Sequence, residues 1–319
     1  MPVLKDVIIS APYMHLERKK VCKEIEKYGD RINFIWIAVK ERLKEHELLM
    51  LIENIDGIMC GDDEFTKKVI NKANRLKVIS KWGTGIDSID KEYANKKGIK
   101  VSNTPNAFTE PVADTTLGMI LNFARNISFI DDNMKKGKWE KISCKSLCEL
   151  TLGIIGLGNI GKAVAKRANA FGMKILGNDI KEIDKKFLQK YQINFVDKET
   201  IYKKADFVTL HCTLNKSSYH LITKKELTLM KRETFLINTA RGALINTKDL
   251  ERAIINKKIA GVGLDVFKKE PLEVDSIFRR YKNCILSPHN ANNSSYFWNK
   301  VHGNTIKNLV EGLGIKYYE

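Results

Sequence analysis

Apolar positions in the first third of the chain alternate between two spacings. Short β-branched runs at residues 7–10, 34–39, 57–60, 78–80 and 99–101 predict buried strands. Polar stretches with helical spacing separate them, for example 14–28 and 43–52. Strands alternating with helices predict a parallel sheet covered on both faces. This segment, residues 1–102, carries no glycine fingerprint of its own.

From Glu110 the pattern predicts a long helix. Pro111 is tolerated in its first turn, and Val112, Thr116, Met119, Ile120 and Phe123 lie near one face. A domain boundary is expected near Ser102. The alternation then resumes. Residues 151–155 predict a strand. A helix opening at Gly161 carries Val164, Ala165, Ala168 and Phe171 on one face, and a strand at 174–177 leads to Asp179. Further strands are expected at 206–211, 234–239, 261–267 and 283–287, with a helix at 248–255. An amphipathic helix at 294–313 closes the sequence and is expected to return to the first segment.

Composition narrows the function classes. The 319 residues are 43% hydrophobic, which is ordinary for a globular protein. No apolar run reaches the ~20 residues that span a bilayer, and the opening MPVLKDVIIS is too quickly interrupted for a signal peptide. Six cysteines form no C-x-x-C and stand beside no histidine cluster, so no metal site and no disulfide framework is expected, and a reducing cytoplasm is. The net charge is +17, of which +4 falls in residues 1–102 and +13 in the remainder. The lysines are scattered among acids, with no long basic run. The charge therefore reads as a solvated surface with at most nonspecific polyanion affinity at low salt, and no nucleic-acid or membrane partner is expected.

Chemistry concentrates in TLGIIGLGNIGKAVAKRANAFGMKILGND, residues 151–179. Gly156, Gly158 and Gly161 form G-x-G-x-x-G between a predicted strand and a predicted helix. Gly156 permits the tight turn, Gly158 lets a pyrophosphate approach the backbone, and Gly161 lets helix and strand pack closely. The N–H groups of Asn159 and Ile160, with the helix dipole, suit an anion. Asp179 follows Gly161 by 18 residues. A carboxylate there accepts from a ribose diol and repels a 2′-phosphate, which favours NAD over NADP.

Asp179, His211, Arg241, Asp265 and His289 fall at or just past predicted strand ends, the rim where a doubly wound sheet binds ligands. Arg241 offers a planar fork for a carboxylate. His289 can give and take a proton near neutral pH, and Glu270 can orient it and favour the imidazolium. The other histidines, His15, His46, His220 and His302, read as structural. In the first segment, Lys81-Trp82-Gly83-Thr84-Gly85-Ile86-Asp87 follows a strand. Its backbone forms either an amide nest for a carboxylate, with Lys81 adding a cation, or a plain strand-end turn.

KWGTGIDSID, NTPNAFTEPVADTTLGMIL, GIIGLGNIGKAVA, LINTARGALI, GLDVFKKEPL and LSPHNAN, in that order, resemble the D-isomer-specific 2-hydroxyacid dehydrogenase family over essentially the whole chain. The resemblance implies an α/β fold. A Rossmann NAD-binding domain, residues 103–289, is inserted into a smaller flavodoxin-like substrate domain, residues 1–102 plus 290–319. It implies a cleft, hinge closure, a homodimer and a small 2-hydroxyacid or 2-oxoacid substrate. It makes Arg241, Glu270 and His289 the catalytic set, with Arg241 holding the substrate. Lys81, Thr84 and Gly85 join Arg241 as substrate contacts. Thr116, Asn159, Ile160, Asp179, His211, Cys212, Thr213, Thr239, Ala240, Asp265 and Asn292 become cofactor contacts beside the three glycines. Thr213, Asn292 and Asp114 depart from the family pattern, where a proline, a small residue and a glutamate are usual. Glu270 beside His289 argues against the formate dehydrogenase relatives, which use glutamine in that role. Lys81 favours a phosphorylated substrate, 3-phosphoglycerate, over lactate or glycerate. An NAD-sensing corepressor-like protein on the same fold is the alternative.

Overall fold

The computed structural model describes residues 4–317. Its contacts divide the chain into two units, one formed by residues up to 108 together with those from 293, the other by 109–292. Residues 103–108 stay with the first unit because they are tied to it. Gly83 and Thr104 exchange hydrogen bonds, and Phe108 lies 5.2 Å from the Trp82 ring. Residues 290 and 291 stay with the second, where Asp265 accepts from both backbone N–H groups.

The first unit holds five parallel strands: β1 (Lys5–Ile9), β2 (Ile32–Trp36), β3 (Gly57–Cys60), β4 (Val78–Lys81) and β5 (Lys100–Ser102). Their order is β2-β1-β3-β4-β5, the flavodoxin-like winding. One face packs Ile8, Ile58, Cys60 and Ile79 against helix residues such as Leu48, Val69 and Ala94. The other face receives the final helix, Ser295–Gly312. Its approach is close: a Cβ on Gly57 would lie 2.9 Å from Leu309, and one on Gly312 would lie 2.5 Å from Val78.

The second unit holds β6 (Thr151–Ile155), β7 (Lys174–Asn178), β8 (Ile193–Phe195), β9 (Phe207–Leu210), β10 (Phe235–Asn238), β11 (Gly261–Leu264) and β12 (Cys284–Leu286). All pairings are parallel, and the order is β12-β11-β10-β9-β6-β7-β8. Counted from β6, this is the dinucleotide-binding order with one strand added at the far edge. Both faces are apolar. Ile154, Phe207 and Ile237 point into one core with the helices Thr109–Arg125 and Asn159–Ala170, while Ile155, Val208 and Leu236 point into the other. That period of two with both phases apolar is what a sheet covered on two sides requires.

Several sequence-predicted bounds shift. β2 lies at 32–36 rather than 34–39. Ile32 is buried in the ladder opposite Lys5, and polar Asn33, which donates to Asp6, interrupts the apolar run that marks the strand. The stretch 14–28 is two helices, Pro12–Leu16 and Arg18–Ile25, followed by a short 3₁₀ turn. The helix expected from Gly161 opens earlier, at Asn159, with Gly158 as its N-cap. β11 stops at Leu264, before the expected 267, because Asp265 turns the chain. Edge strand β8 has no apolar run long enough to announce it.

Candidate active site and nucleotide cradle

The glycine turn is built by close backbone contact. Gly156 has φ +98°, and a Cβ there would lie 2.7 Å from the backbone of His211 and Cys212. A Cβ on Gly161 would lie 1.9 Å from the Gly156 carbonyl oxygen. Both positions therefore require glycine for the turn itself. Gly158 differs, because nothing lies within 4 Å of its would-be Cβ. That open side is the space a pyrophosphate needs. The Ile160 N–H, in the first turn of the helix, has no hydrogen-bond partner among the described residues and is placed to take an anion.

Asp179 follows β7 and turns back on this loop. One carboxylate oxygen accepts from Leu157 N–H at 2.7 Å and the other from Lys181 N–H at 2.9 Å. The carboxylate is thus fixed at the cradle, with lone pairs left for hydroxyl donors. His211 and Cys212 follow β9 across the turn. Thr209 Oγ1 lies 2.9 Å from His211 Nε2, while His211 Nδ1 is buried without a partner. Burial pushes the imidazole down to about 3, so the ring is neutral, and burial pushes the Cys212 thiol up. Thr213 is exposed, and its carbonyl accepts from Ser218 Oγ at 2.6 Å. Thr116 is fully buried, and its hydroxyl lies 3.0 Å from that of Thr239, beyond the end of β10.

The ends of β10, β11 and β12 carry the second group. Asn238 closes β10. Its side chain donates to the Arg241 carbonyl at 2.9 Å and accepts from Ala240 N–H at 3.1 Å, shaping the turn that presents Arg241. A Cβ on the next residue, Gly242, would lie 2.0 Å from the Phe267 backbone. The Arg241 turn is therefore seated on the loop that leads to Glu270. There Glu270 Oε1 accepts from Phe267 N–H at 2.9 Å, and Oε2 lies 3.0 Å from His289 Nδ1. The His289 side chain is about one-fifth exposed and that of Glu270 only 9%, so their contact is partly shielded from solvent.

Asp265 braces this arrangement. It is 1% exposed, and its carboxylate accepts from Asn290 N–H at 2.8 Å and from Ala291 N–H at 3.1 Å. Its carbonyl accepts from His289 N–H at 2.7 Å. These bonds hold His289 at φ +53°, a left-handed conformation that costs a side-chain-bearing residue energy. Asn292 follows directly. Asp114 lies on the helix surface, where it and Glu110 clamp Arg167 at 2.7 and 2.6 Å.

In the first unit, the Thr84 and Gly85 N–H groups have no hydrogen-bond partner among the described residues, while Gly83 N–H is bonded to Thr104. Lys81 is buried. Its ammonium donates to the Trp82 carbonyl at 2.9 Å and pairs with Asp62 at 3.1 Å. Sequence reasoning missed Asp62, Asn238 and Gly242. Only Gly242 leaves a local signal, a glycine directly after Arg241.

A seven-stranded sheet in dinucleotide-binding order, an open glycine cradle and a Glu–His pair beside an arginine turn define a nicotinamide-dependent oxidoreductase. The NAD binding domain model of the D-isomer specific 2-hydroxyacid dehydrogenases matches residues 117–291. The chain is 36% identical to the hydroxypyruvate reductase of Thermotoga maritima, over 87% of this chain and 91% of that one. It is 38% identical to the D-3-phosphoglycerate dehydrogenase of Methanocaldococcus jannaschii, over 89% of this chain but 52% of that one. The structure of D-lactate dehydrogenase from Aquifex aeolicus, complexed with NAD and lactic acid, superposes with a TM-score of 0.84 at 28% identity, covering 95% and 93% of the two chains. The chain belongs to the D-isomer-specific 2-hydroxyacid dehydrogenase family. It is an NAD-dependent dehydrogenase that interconverts a D-2-hydroxyacid and its 2-oxoacid.

Proposed function

We propose that the substrate is a small unphosphorylated 2-oxoacid of hydroxypyruvate size, with His289 as acid and base, Glu270 as its orienting partner and Arg241 as the substrate anchor. The observation that carries the chemistry is the 3.0 Å contact from Glu270 Oε2 to His289 Nδ1. With Nδ1 committed to the carboxylate, the other ring nitrogen, Nε2, is the one that exchanges a proton with substrate. In reduction, the imidazolium gives its Nε2 proton to the oxygen that was the carbonyl. In oxidation, the neutral ring takes the hydroxyl proton back. Glu270 favours the charged ring in the first case. Arg241 suits the carboxylate through two parallel N–H donors and polarises the adjacent carbonyl. The unengaged Thr84 and Gly85 amides suit a carboxylate as well.

NAD, when bound, supplies or accepts the hydride. The open face at Gly158, the Ile160 N–H and the anchored Asp179 carboxylate fit its pyrophosphate and ribose. Thr116, Asn159, His211, Cys212, Thr213, Thr239, Ala240, Asp265 and Asn292 are proposed to complete that surface.

The 3-phosphoglycerate reading rests on Lys81 as a cation for the phosphate, and the M. jannaschii relative supports it. The Lys81–Asp62 pair weighs against it, because that charge is already balanced. The test follows NADH absorbance with hydroxypyruvate, pyruvate and 3-phosphohydroxypyruvate, for the wild type and His289→Gln. Hydroxypyruvate turnover in the wild type is expected, with kcat falling by about 10²–10⁴ in the variant. An undiminished kcat in His289→Gln would remove His289 from the chemistry.

We also propose a homodimer. Ile127, Phe129, Met134 and Trp139 are large apolar side chains exposed within one stretch of the second unit, and a second copy would cover them. All six cysteines are free, which suits a reducing cytoplasm.

A further inference from the structure

We infer that Asp62 is a specificity residue that turns away substrates bearing a second anionic group. The inference rests on the small-oxoacid reading above and deepens it.

Two charges sit at the strand ends of the first unit and are unequally placed. Lys81 closes β4, and its side chain is 5% exposed. Asp62 follows β3, and its side chain is 27% exposed. The ammonium lies 3.1 Å from the Asp62 carboxylate and donates to the Trp82 carbonyl at 2.9 Å. It also lies 3.6 Å from where a Gly83 Cβ would stand, so it sits against the turn whose next two amides are unengaged. A ligand carboxylate held by those amides would bring its far end near this pair.

What that far end meets decides the selectivity. The positive member of the pair is buried, and the negative member is the more exposed of the two. A hydroxyl can donate to Asp62. A phosphate dianion meets a carboxylate before it meets the lysine, and the lysine's charge is already balanced. Such repulsion discriminates by penalising the wrong ligand rather than by improving contacts to the right one. It also explains why Lys81 alone misleads in the sequence: the cation is legible, but its counter-charge comes from another strand end.

The experiment compares kcat/KM for 3-phosphohydroxypyruvate and hydroxypyruvate in the wild type, Asp62→Asn and the double variant Asp62→Asn/Lys81→Met. The wild type should favour hydroxypyruvate. Asp62→Asn should raise the ratio of phosphorylated to unphosphorylated activity by about tenfold or more, and the double variant should lose that gain. An unchanged ratio in folded Asp62→Asn, an equal gain in the double variant, or a wild type that favours the phosphorylated compound would overturn the inference. Asp62→Asn leaves a buried lysine unpaired, and the variant could fail to fold. The wild type then carries the test. Repulsion at a partly exposed carboxylate is screened, so the handicap of the phosphorylated compound should shrink between low salt and ~0.5 M. A salt-independent ratio would overturn the inference. If the wild type reduces neither compound, the small-oxoacid reading itself fails, and this inference falls with it.

Discussion

Burial holds the His211 imidazole down to about 3, against an ordinary value near 6.5. Between those values the unfolded chain binds a proton at His211 that the folded chain refuses. Stability is therefore full above about 6.5 and falls as the pH drops toward 3. At pH 5 the loss is about 2 kcal/mol. His211→Gln should shrink the drop in urea midpoint between pH 7 and pH 5 relative to the wild type, and an equal drop in both proteins would place the acid sensitivity elsewhere. The ring was legible in the sequence as one of several polar residues at strand ends. Its neutrality was not, because it comes from packing across the glycine turn. The same division runs through the other site residues. Arg241, Glu270 and His289 stand out beside glycine, proline and predicted strand ends. Asp265 was expected as a cofactor contact, and the structure adds that its carboxylate binds the backbone of residues 290 and 291. That use depends on which loop lies opposite, and linear spacing does not reveal it.

The glycine turn divides its labour in a way that mutation can separate. Gly161→Ala would drive a methyl into the Gly156 carbonyl, with a separation of 1.9 Å before relaxation. Overpacking of this kind costs about 1–3 kcal/mol, so both the melting temperature and NADH affinity should fall. Gly158→Ala meets nothing within 4 Å and should leave stability within about 0.5 kcal/mol while weakening NADH binding by roughly tenfold. Thermal melts and NADH fluorescence titration of both variants check the contrast. Equal melting losses in the two would remove it. Strand–turn–helix could be read from residues 151–170 because apolar period and glycine spacing agree there. β8 could not be read, since three residues at a sheet edge bury too little to leave a pattern. β2 was displaced because Asn33 breaks the run, although Ile32 before it is buried.

At the scale of the molecule, Trp139 is 81% exposed and Ile127 54%. Trp139→Arg should shift the sedimentation coefficient from dimer toward monomer at micromolar protein, with the secondary structure unchanged. A wild type that sediments as a monomer would dismiss the second copy as the cover for this surface. Parallel α/β sheets were legible in the alternation of strands and helices, but the order of the strands came only with the family resemblance, because pairing is decided by contacts far apart in sequence. The first unit is also discontinuous, since the helix Ser295–Gly312 covers a face laid down by β3 and β4 more than two hundred residues earlier. During synthesis, the second unit can complete its seven strands while the first still shows that face uncovered. An interrupted chain thus displays a greasy sheet beside a finished nucleotide fold. Quality-control proteins that recognise exposed apolar surface can tell it from the full-length product.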